Sequence, residues 1–154
     1  MESDYDATAA LHDIELSRKH LADRVVTPVW YHPVLGLGFA LLCMGCAYFD
    51  NSLIFWVLVP ASILLSVVVA NIYKRATGVW INWHHADAAT RQVGYLFAAV
   101  VVIAVAVSAL LGSMGHPLWA LPVAGVAWVL TIVLGRAIDE RLRAGIRAGR
   151  AGIA

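Results

Sequence analysis

Three long stretches of this sequence contain no charged side chain. The first holds 25 residues between Arg24 and Asp50, the second holds 23 between Asp50 and Lys74, and the third holds 44 between Arg91 and Arg136. An α-helix rises about 1.5 Å per residue, so about 20 apolar residues cross the hydrocarbon core of a bilayer, which is about 30 Å thick. The first two stretches are therefore long enough for one crossing each, and the third is long enough for two.

A turn is predicted in the middle of the third stretch. Residues 112–117 read Gly-Ser-Met-Gly-His-Pro, and glycine and proline at this density are typical of a tight turn. Since backbone groups in lipid must be hydrogen-bonded within their own segment, each crossing is predicted to be an α-helix. The sequence therefore predicts an all-α integral membrane protein with four transmembrane helices in two hairpins. The predicted spans are about 33–49, 53–73, 93–111 and 118–134.

The composition favours a membrane protein over a soluble one. Hydrophobic residues make up 61% of the chain and charged residues 14%, whereas soluble domains have about 45–50% and about 25%. The chain is too apolar to be disordered, and it has too few polar side chains to cover the core of a soluble enzyme domain. Arginine outnumbers lysine by nine to two, which together with the abundant alanine and valine is typical of a bacterium with a GC-rich genome.

All 11 basic residues fall on one side of the predicted layout. Lysine and arginine occur before the first span, between the second and third, and after the fourth, whereas the two short turns contain none. The positive-inside rule then places both termini and the loop 74–92 in the cytoplasm. We therefore expect a multi-pass protein of the plasma (inner) membrane. Its predicted parts are a cytoplasmic segment 1–28, a bundle 29–135 and a basic cytoplasmic tail 136–154.

The N-terminal segment carries one helical stripe. Leu11, Ile14, Arg18, Leu21 and Val25 recur at alternating spacings of three and four, which predicts an amphipathic helix. We expect this cytoplasmic helix to pack on the membrane surface or on the bundle. The alternative is a short helix that dimerises or docks onto a partner.

Aromatic residues cluster where the chain is predicted to meet the inner leaflet. Tryptophan and tyrosine are enriched at the level of the lipid headgroups, because one end of the side chain is apolar and the other polar. The predicted membrane-interface residues are Trp30, Tyr31, Trp80 and Trp83.

Histidines offer little metal chemistry. His84 and Asp87 could share an ion across one helical turn, but adjacent His85 would point about 100° away, and a closed site needs more ligands than this pair supplies. We therefore expect headgroup contacts there, and neither a metal nor another cofactor. His32 and His116 are isolated in the sequence and are predicted to lie at opposite membrane faces.

Cys43 and Cys46 form a Cys-x-x-Cys pair in the outer half of the first span. Thiols at this spacing can form a disulfide or bind a soft metal. A four-helix membrane protein with such a pair resembles the quinone-linked disulfide-forming enzymes of the vitamin K epoxide reductase type. The resemblance covers the four-helix topology and one cysteine pair, whereas those enzymes carry a second pair and this chain has two cysteines in all. We expect the two thiols to serve as small packing groups.

Small residues recur at a spacing of four on two predicted spans. Ala104, Ser108 and Gly112 form one row, and Gly36 and Ala40 form another. Small side chains at this spacing let two membrane helices approach closely. We expect these rows to pack the bundle first and to form oligomer contacts second.

Function is predicted from what the spans lack and from how they pack. The four predicted spans contain no Asp, Glu, Lys, Arg or His, and coupled transporters commonly need such a group at mid-membrane. We expect a non-enzymatic membrane protein that acts by association, as an accessory, scaffold or regulatory component. Its expected partners are the lipid bilayer and either a second copy or another membrane protein, with no nucleic acid. The alternatives are a membrane thiol oxidoreductase using Cys43 and Cys46, and a small oligomeric transporter or channel.

Overall fold

The computed structural model describes His12, Leu16 and residues 27–77 and 88–148. Over these residues the chain is all-helical, with no strand. We number the helices of the two long ranges α1 (Tyr31–Ala47), α2 (Ser52–Thr77), α3 (Ala88–Ser113) and α4 (Ala120–Arg147). His12 and Leu16 are helical, and the rest of the predicted N-terminal helix lies outside the described residues.

Three of these helices are long and apolar enough to cross a membrane. By length and composition, the candidate segments are Leu53–Arg75, Ala88–Ser113 and Pro117–Gly145. The first helix is also apolar but has 17 residues, which corresponds to a length of about 25 Å. The protein is therefore an all-helical chain with the character of a membrane protein.

The turn between α3 and α4 is built by glycine and proline. Gly115 has a φ of +79°, a left-handed conformation that is readily available to glycine because it has no Cβ. His116 donates its backbone N–H to the Leu111 carbonyl at 2.9 Å, which closes the end of α3. Pro117 then opens a single 3₁₀ turn, Pro117–Trp119, that leads into α4.

The first helix lies at the centre of the bundle. It packs against α2, α3 and α4, whereas α2 packs mainly on α1. Glycines allow this close packing: a Cβ at Gly38 would lie 2.9 Å from the Ser66 hydroxyl oxygen, and one at Gly45 would lie 2.8 Å from a Val59 methyl group. Both contacts belong to the α1–α2 interface, so its two backbones approach closely.

The interior of the bundle contains small side chains, and many large apolar ones lie outside. Cys43, Ala104, Ala124 and Ala127 form the buried core cluster. This distribution suits a lipid environment, where small residues bring helices together and large apolar residues face acyl chains. Large exposed side chains include Leu53, Trp56, Ile63, Leu64, Val102 and Ile103.

Candidate functional site

A buried histidine on the first helix and an aspartate on the last helix are hydrogen-bonded to each other. His32 lies in the first turn of α1 and Asp139 in the last third of α4, and the His32 Nε2 lies 2.8 Å from the Asp139 Oδ2. His32 is 7% exposed. His32, which is isolated in the sequence, thus gains a partner from a distant part of the chain, because the antiparallel packing of α1 and α4 brings the two side chains together.

Gly135 makes room for the His32 ring. A Cβ at Gly135 would collide with the His32 Nδ1 and would lie 2.6 Å from Cε1 and 2.9 Å from Cγ. The Nδ1 side of the ring therefore lies directly against Gly135, one turn before Asp139. No other residue type fits at this position while the ring stays in place.

One ring nitrogen of His32 has no hydrogen-bond partner among the described residues. In the tautomer that donates Nε2–H to Asp139, Nδ1 carries a lone pair that accepts a hydrogen bond. Nδ1 is buried, and the described part of the chain gives it no hydrogen-bond partner. Buried polar atoms are nearly always satisfied in folded proteins, so this atom marks His32 as a residue of functional interest.

Aromatic rings surround the pair. The Tyr31 and Tyr73 rings are 4.6 Å apart at their centroids, and Tyr31 also meets the His32 ring edge-on at 5.1 Å. Tyr73 shares a hydrogen bond of 3.5 Å with the Thr27 hydroxyl. Tyr31, predicted as a membrane-interface residue, thus lies against α2 and His32.

These residues border a cavity of about 520 Å³, which we call the charged-end cavity. Asp139, His32 and Arg91 supply its carboxylate, imidazole and guanidinium groups. Arg91 and Tyr95 are exposed, so the cavity opens along α3. The complete lining is Tyr31, His32, Leu35, Tyr73, Arg91, Gly94, Tyr95, Phe97, Ala98, Thr131, Gly135, Ile138 and Asp139.

The volume and lining of this cavity suit a small ligand. Ligand pockets commonly measure about 300–1,000 Å³, with mostly apolar walls and a few placed polar groups. The charged-end cavity has one carboxylate, one guanidinium, one imidazole and several aromatic walls. It can therefore hold a molecule that has both apolar and charged parts.

The predicted packing row of α3 lies against α1. A Cβ at Gly112 would collide with the backbone of Ala47, and Ala104 belongs to the core cluster with Cys43. Ser108 is fully buried and its hydroxyl lies beside the Cys43 thiol. The row thus forms one continuous face of the α1–α3 interface.

The predicted row of α1 faces two directions. Gly36 lies against α4, since a Cβ there would be 2.8 Å from the Trp128 Cδ1. The Trp128 indole N–H also donates to the Pro33 carbonyl at 2.9 Å. Ala40 packs on the core cluster.

Ser108→Leu is expected to push α1 and α3 apart, because Ser108 is 0% exposed and has no space for a larger side chain. Ser108→Ala should leave the melting temperature and the oligomer size nearly unchanged. The Ser108 hydroxyl makes at most a weak contact with the Cys43 thiol, and hydrogen bonds between membrane helices average only about 0.6 kcal/mol. Melting temperature and oligomer size, measured in detergent, check both results.

The control for this series is Val107→Leu. Val107 is 37% exposed and lies about 100° around the helix from Ser108. If Ser108→Leu and Val107→Leu give the same melting temperature and size, Ser108 does not lie in a close helix contact.

The other predicted site residues lie apart from the charged-end cavity. Cys43 and Cys46 are both free thiols on α1, the first buried and the second half-buried, and neither lines the cavity. Trp30 is exposed at the start of α1. Trp80, Trp83, His84 and Asp87 lie outside the described residues.

Within the described ranges, no group of three His, Cys, Asp or Glu side chains lies close enough together to hold a metal ion. His116 lies exposed in the turn at the opposite end of the bundle from His32.

Comparison of the chain with known protein families, with curated proteins and with solved structures gives no match. The candidate site accordingly rests on the geometry of this chain.

Proposed function

We propose that the protein spans the plasma membrane four times, with both termini in the cytoplasm. Two observations support this topology. The first helix has 17 residues, which is within the range of about 17–25 that can span a bilayer. The basic residues occur at one end of the helices, including Lys74, Arg75, Arg91, Arg136 and Arg141.

This topology predicts the result of a reporter experiment. An enzyme that is active only outside the cytoplasm would be fused after residue 154, before residue 1, or into the turn at Ser113. We expect activity from the turn fusion alone, because translocation of basic segments is disfavoured. Activity at either terminus, or silence at the turn, contradicts the four-span topology.

We further propose that the protein acts by binding, as a non-enzymatic accessory or regulatory membrane component. The observation that carries this proposal is the charged-end cavity, in which buried His32 pairs with the partly buried Asp139. A buried charged group is costly to maintain, and an unpartnered buried nitrogen adds to that cost. A ligand that hydrogen-bonds the Asp139 carboxylate offsets part of the cost of this arrangement.

The binding proposal is tested by filling the cavity. Ala98 lines the cavity and is exposed on α3, so Ala98→Trp is expected to occupy the space without disturbing the helix contacts. Mass spectrometry of the intact protein, released from mild detergent, would measure small molecules that stay bound. We expect the wild-type chain to retain a ligand and Ala98→Trp to lose most of it.

Ala99→Trp is the matched control, because Ala99 is exposed and does not line the cavity. It should retain the ligand as the wild type does. Equal ligand content in all three proteins would mean that the cavity is not the binding site, and the proposal would be wrong.

Association with a second copy or with another membrane protein remains part of this proposal. Its support is the broad apolar surface of α2, which packs mainly on α1 and leaves a row of large side chains outside. The thiol oxidoreductase and the oligomeric transporter stay predictions from the sequence.

A further inference from the structure

We propose that the charged-end cavity binds the headgroup of a zwitterionic phospholipid from the cytoplasmic leaflet. In this arrangement the ammonium group of the lipid lies at Asp139 and its phosphate at Arg91. The inference rests on the binding function proposed above and adds the chemical class of the ligand.

The charges of the cavity favour a ligand with both signs. Asp139 is a half-buried carboxylate on α4, and Arg91 is an exposed guanidinium on the first turn of α3. A purely cationic ligand would meet Arg91, and a purely anionic one would meet Asp139. A zwitterion gives each group an opposite charge, and the phosphate suits the guanidinium because two N–H groups can bind it together.

The aromatic walls favour an ammonium group beside Asp139. Tyr31, Tyr73, Tyr95 and Phe97 all line the cavity. The face of an aromatic ring attracts a cation, most strongly where water is excluded. The carboxylate and the ring faces together form the kind of surroundings that bind alkylammonium groups.

The position of the cavity favours a lipid over a soluble zwitterion. Asp139 falls within the long apolar helix segment Pro117–Gly145, but it lies five residues beyond the charge-free stretch whose predicted span ends at residue 134. That distance is about 7 Å along the helix, which places the carboxylate at the level of the headgroups in the proposed topology. Thr131 also lines the cavity and lies about 12 Å deeper along α4. Leu35 and Ile138 make the intervening wall apolar, so glycerol and acyl carbons can fill the inner part.

The hydrogen-bonding capacity of the pair suits this ligand. The Asp139 Oδ2 faces His32 at 2.8 Å, and a carboxylate has a second oxygen that accepts further bonds. His32 takes one oxygen of this carboxylate, and an ammonium group would give the other an opposite charge. His32 thus orients the carboxylate for the ligand.

The test uses the full chain in bilayer discs made from equal amounts of phosphatidylethanolamine, phosphatidylcholine and phosphatidylglycerol. Lipid that stays on the protein after release is counted by mass spectrometry of the intact complex. We expect the two zwitterionic lipids to exceed phosphatidylglycerol by about tenfold, the factor given by one charge-assisted contact. Asp139→Asn should abolish this preference, because the amide keeps an oxygen for His32 but loses the charge.

Glu140→Gln is the matched control, since Glu140 is the exposed neighbour of Asp139 and does not line the cavity. It removes the same charge and should keep the preference. Melting temperatures of both variants show whether they are folded. Equal retention of all three lipids by the wild type overturns the proposal, as does a full preference in folded Asp139→Asn.

Two further measurements distinguish a bound phospholipid from a soluble zwitterion and from an unrelated ligand. Soluble phosphocholine added to lipid-free protein should bind at least about tenfold more weakly than the lipid, because it has no acyl carbons to bury. Binding as tight as that of the lipid overturns the lipid assignment. Ala98→Trp could instead displace a different molecule and leave the phospholipid content unchanged. In that case the binding proposal stands, and the proposal that the ligand is a phospholipid is wrong.

Discussion

Gly112→Ala is expected to destabilise the protein more than any other exchange of glycine for alanine on α3 or α4. The added Cβ would collide with the Ala47 carbonyl oxygen and lie 2.8 Å from the Ala47 carbonyl carbon. The atoms it meets belong to the backbone, so no side chain can rotate away. Overpacking costs about 1–3 kcal/mol, and at this contact we expect about 3 kcal/mol. A chain of this length would then lose roughly 6–12 °C in Tm.

The matched control is Gly125→Ala on α4. A Cβ at Gly125 meets no atom within 4 Å, and alanine favours a helix over glycine by about 0.5–1 kcal/mol. We therefore expect the two substitutions to shift the melting temperature in opposite directions. A fall of equal size in both variants would show that α1 and α3 do not approach closely at Ala47.

Gly135→Ala is expected to dismantle the charged-end cavity. The new methyl group takes the space of the His32 ring, so the ring must move and its 2.8 Å bond to Asp139 is lost. A buried polar group left without its partner costs about 1–3 kcal/mol. We expect a lower melting temperature and a loss of retained ligand, whereas Gly112→Ala lowers stability from a contact at the other end of α1.

A second substitution separates the clash from other effects. In a His32→Ala background the ring is gone, so Gly135→Ala meets free space and should cost much less than it does in the wild type. This non-additivity of two neighbouring residues is what a double-mutant cycle measures. Additive costs would mean that Gly135 and His32 do not touch.

The positions of the helices along the chain could be predicted from the charge-free stretches and from the glycines and prolines. The charge-free stretches place the apolar helices, and the glycines and proline of 112–117 place the turn after α3. The helices continue beyond the predicted spans at the charged end, where α4 reaches Arg147. There Arg141 donates to the Ala89 carbonyl at 3.3 Å, so the extension of α4 packs on the start of α3 beyond the predicted spans.

The neighbours of each helix were much harder to predict. The first helix is apolar all round, so no stripe distinguishes its face toward α2 from its face toward α4. Glycines carry this information: Gly38 and Gly45 face α2, and Gly36 faces α4. The row of Ala104, Ser108 and Gly112 indicated a close contact on α3 but could not identify Ala47 as its partner.

The charged-end cavity was missed because its parts are distant in the sequence. His32 and Asp139 are separated by 107 positions, and each looks ordinary beside its own neighbours. One signal could have linked them: both lie just outside the cytoplasmic end of a predicted span, on helices one and four. Residues at the same end of adjacent antiparallel helices share one depth in the membrane.

The central position of α1 has a consequence for biogenesis. The α1–α2 hairpin has its own glycine-lined interface, so it can assemble in the bilayer before the rest of the chain leaves the ribosome. Membrane helices insert first and associate afterwards, and synthesis runs from the N-terminus. The α3–α4 hairpin then docks onto a helix that is already present. We expect the first hairpin, made alone, to be a stable insertion intermediate, and the second to depend on it.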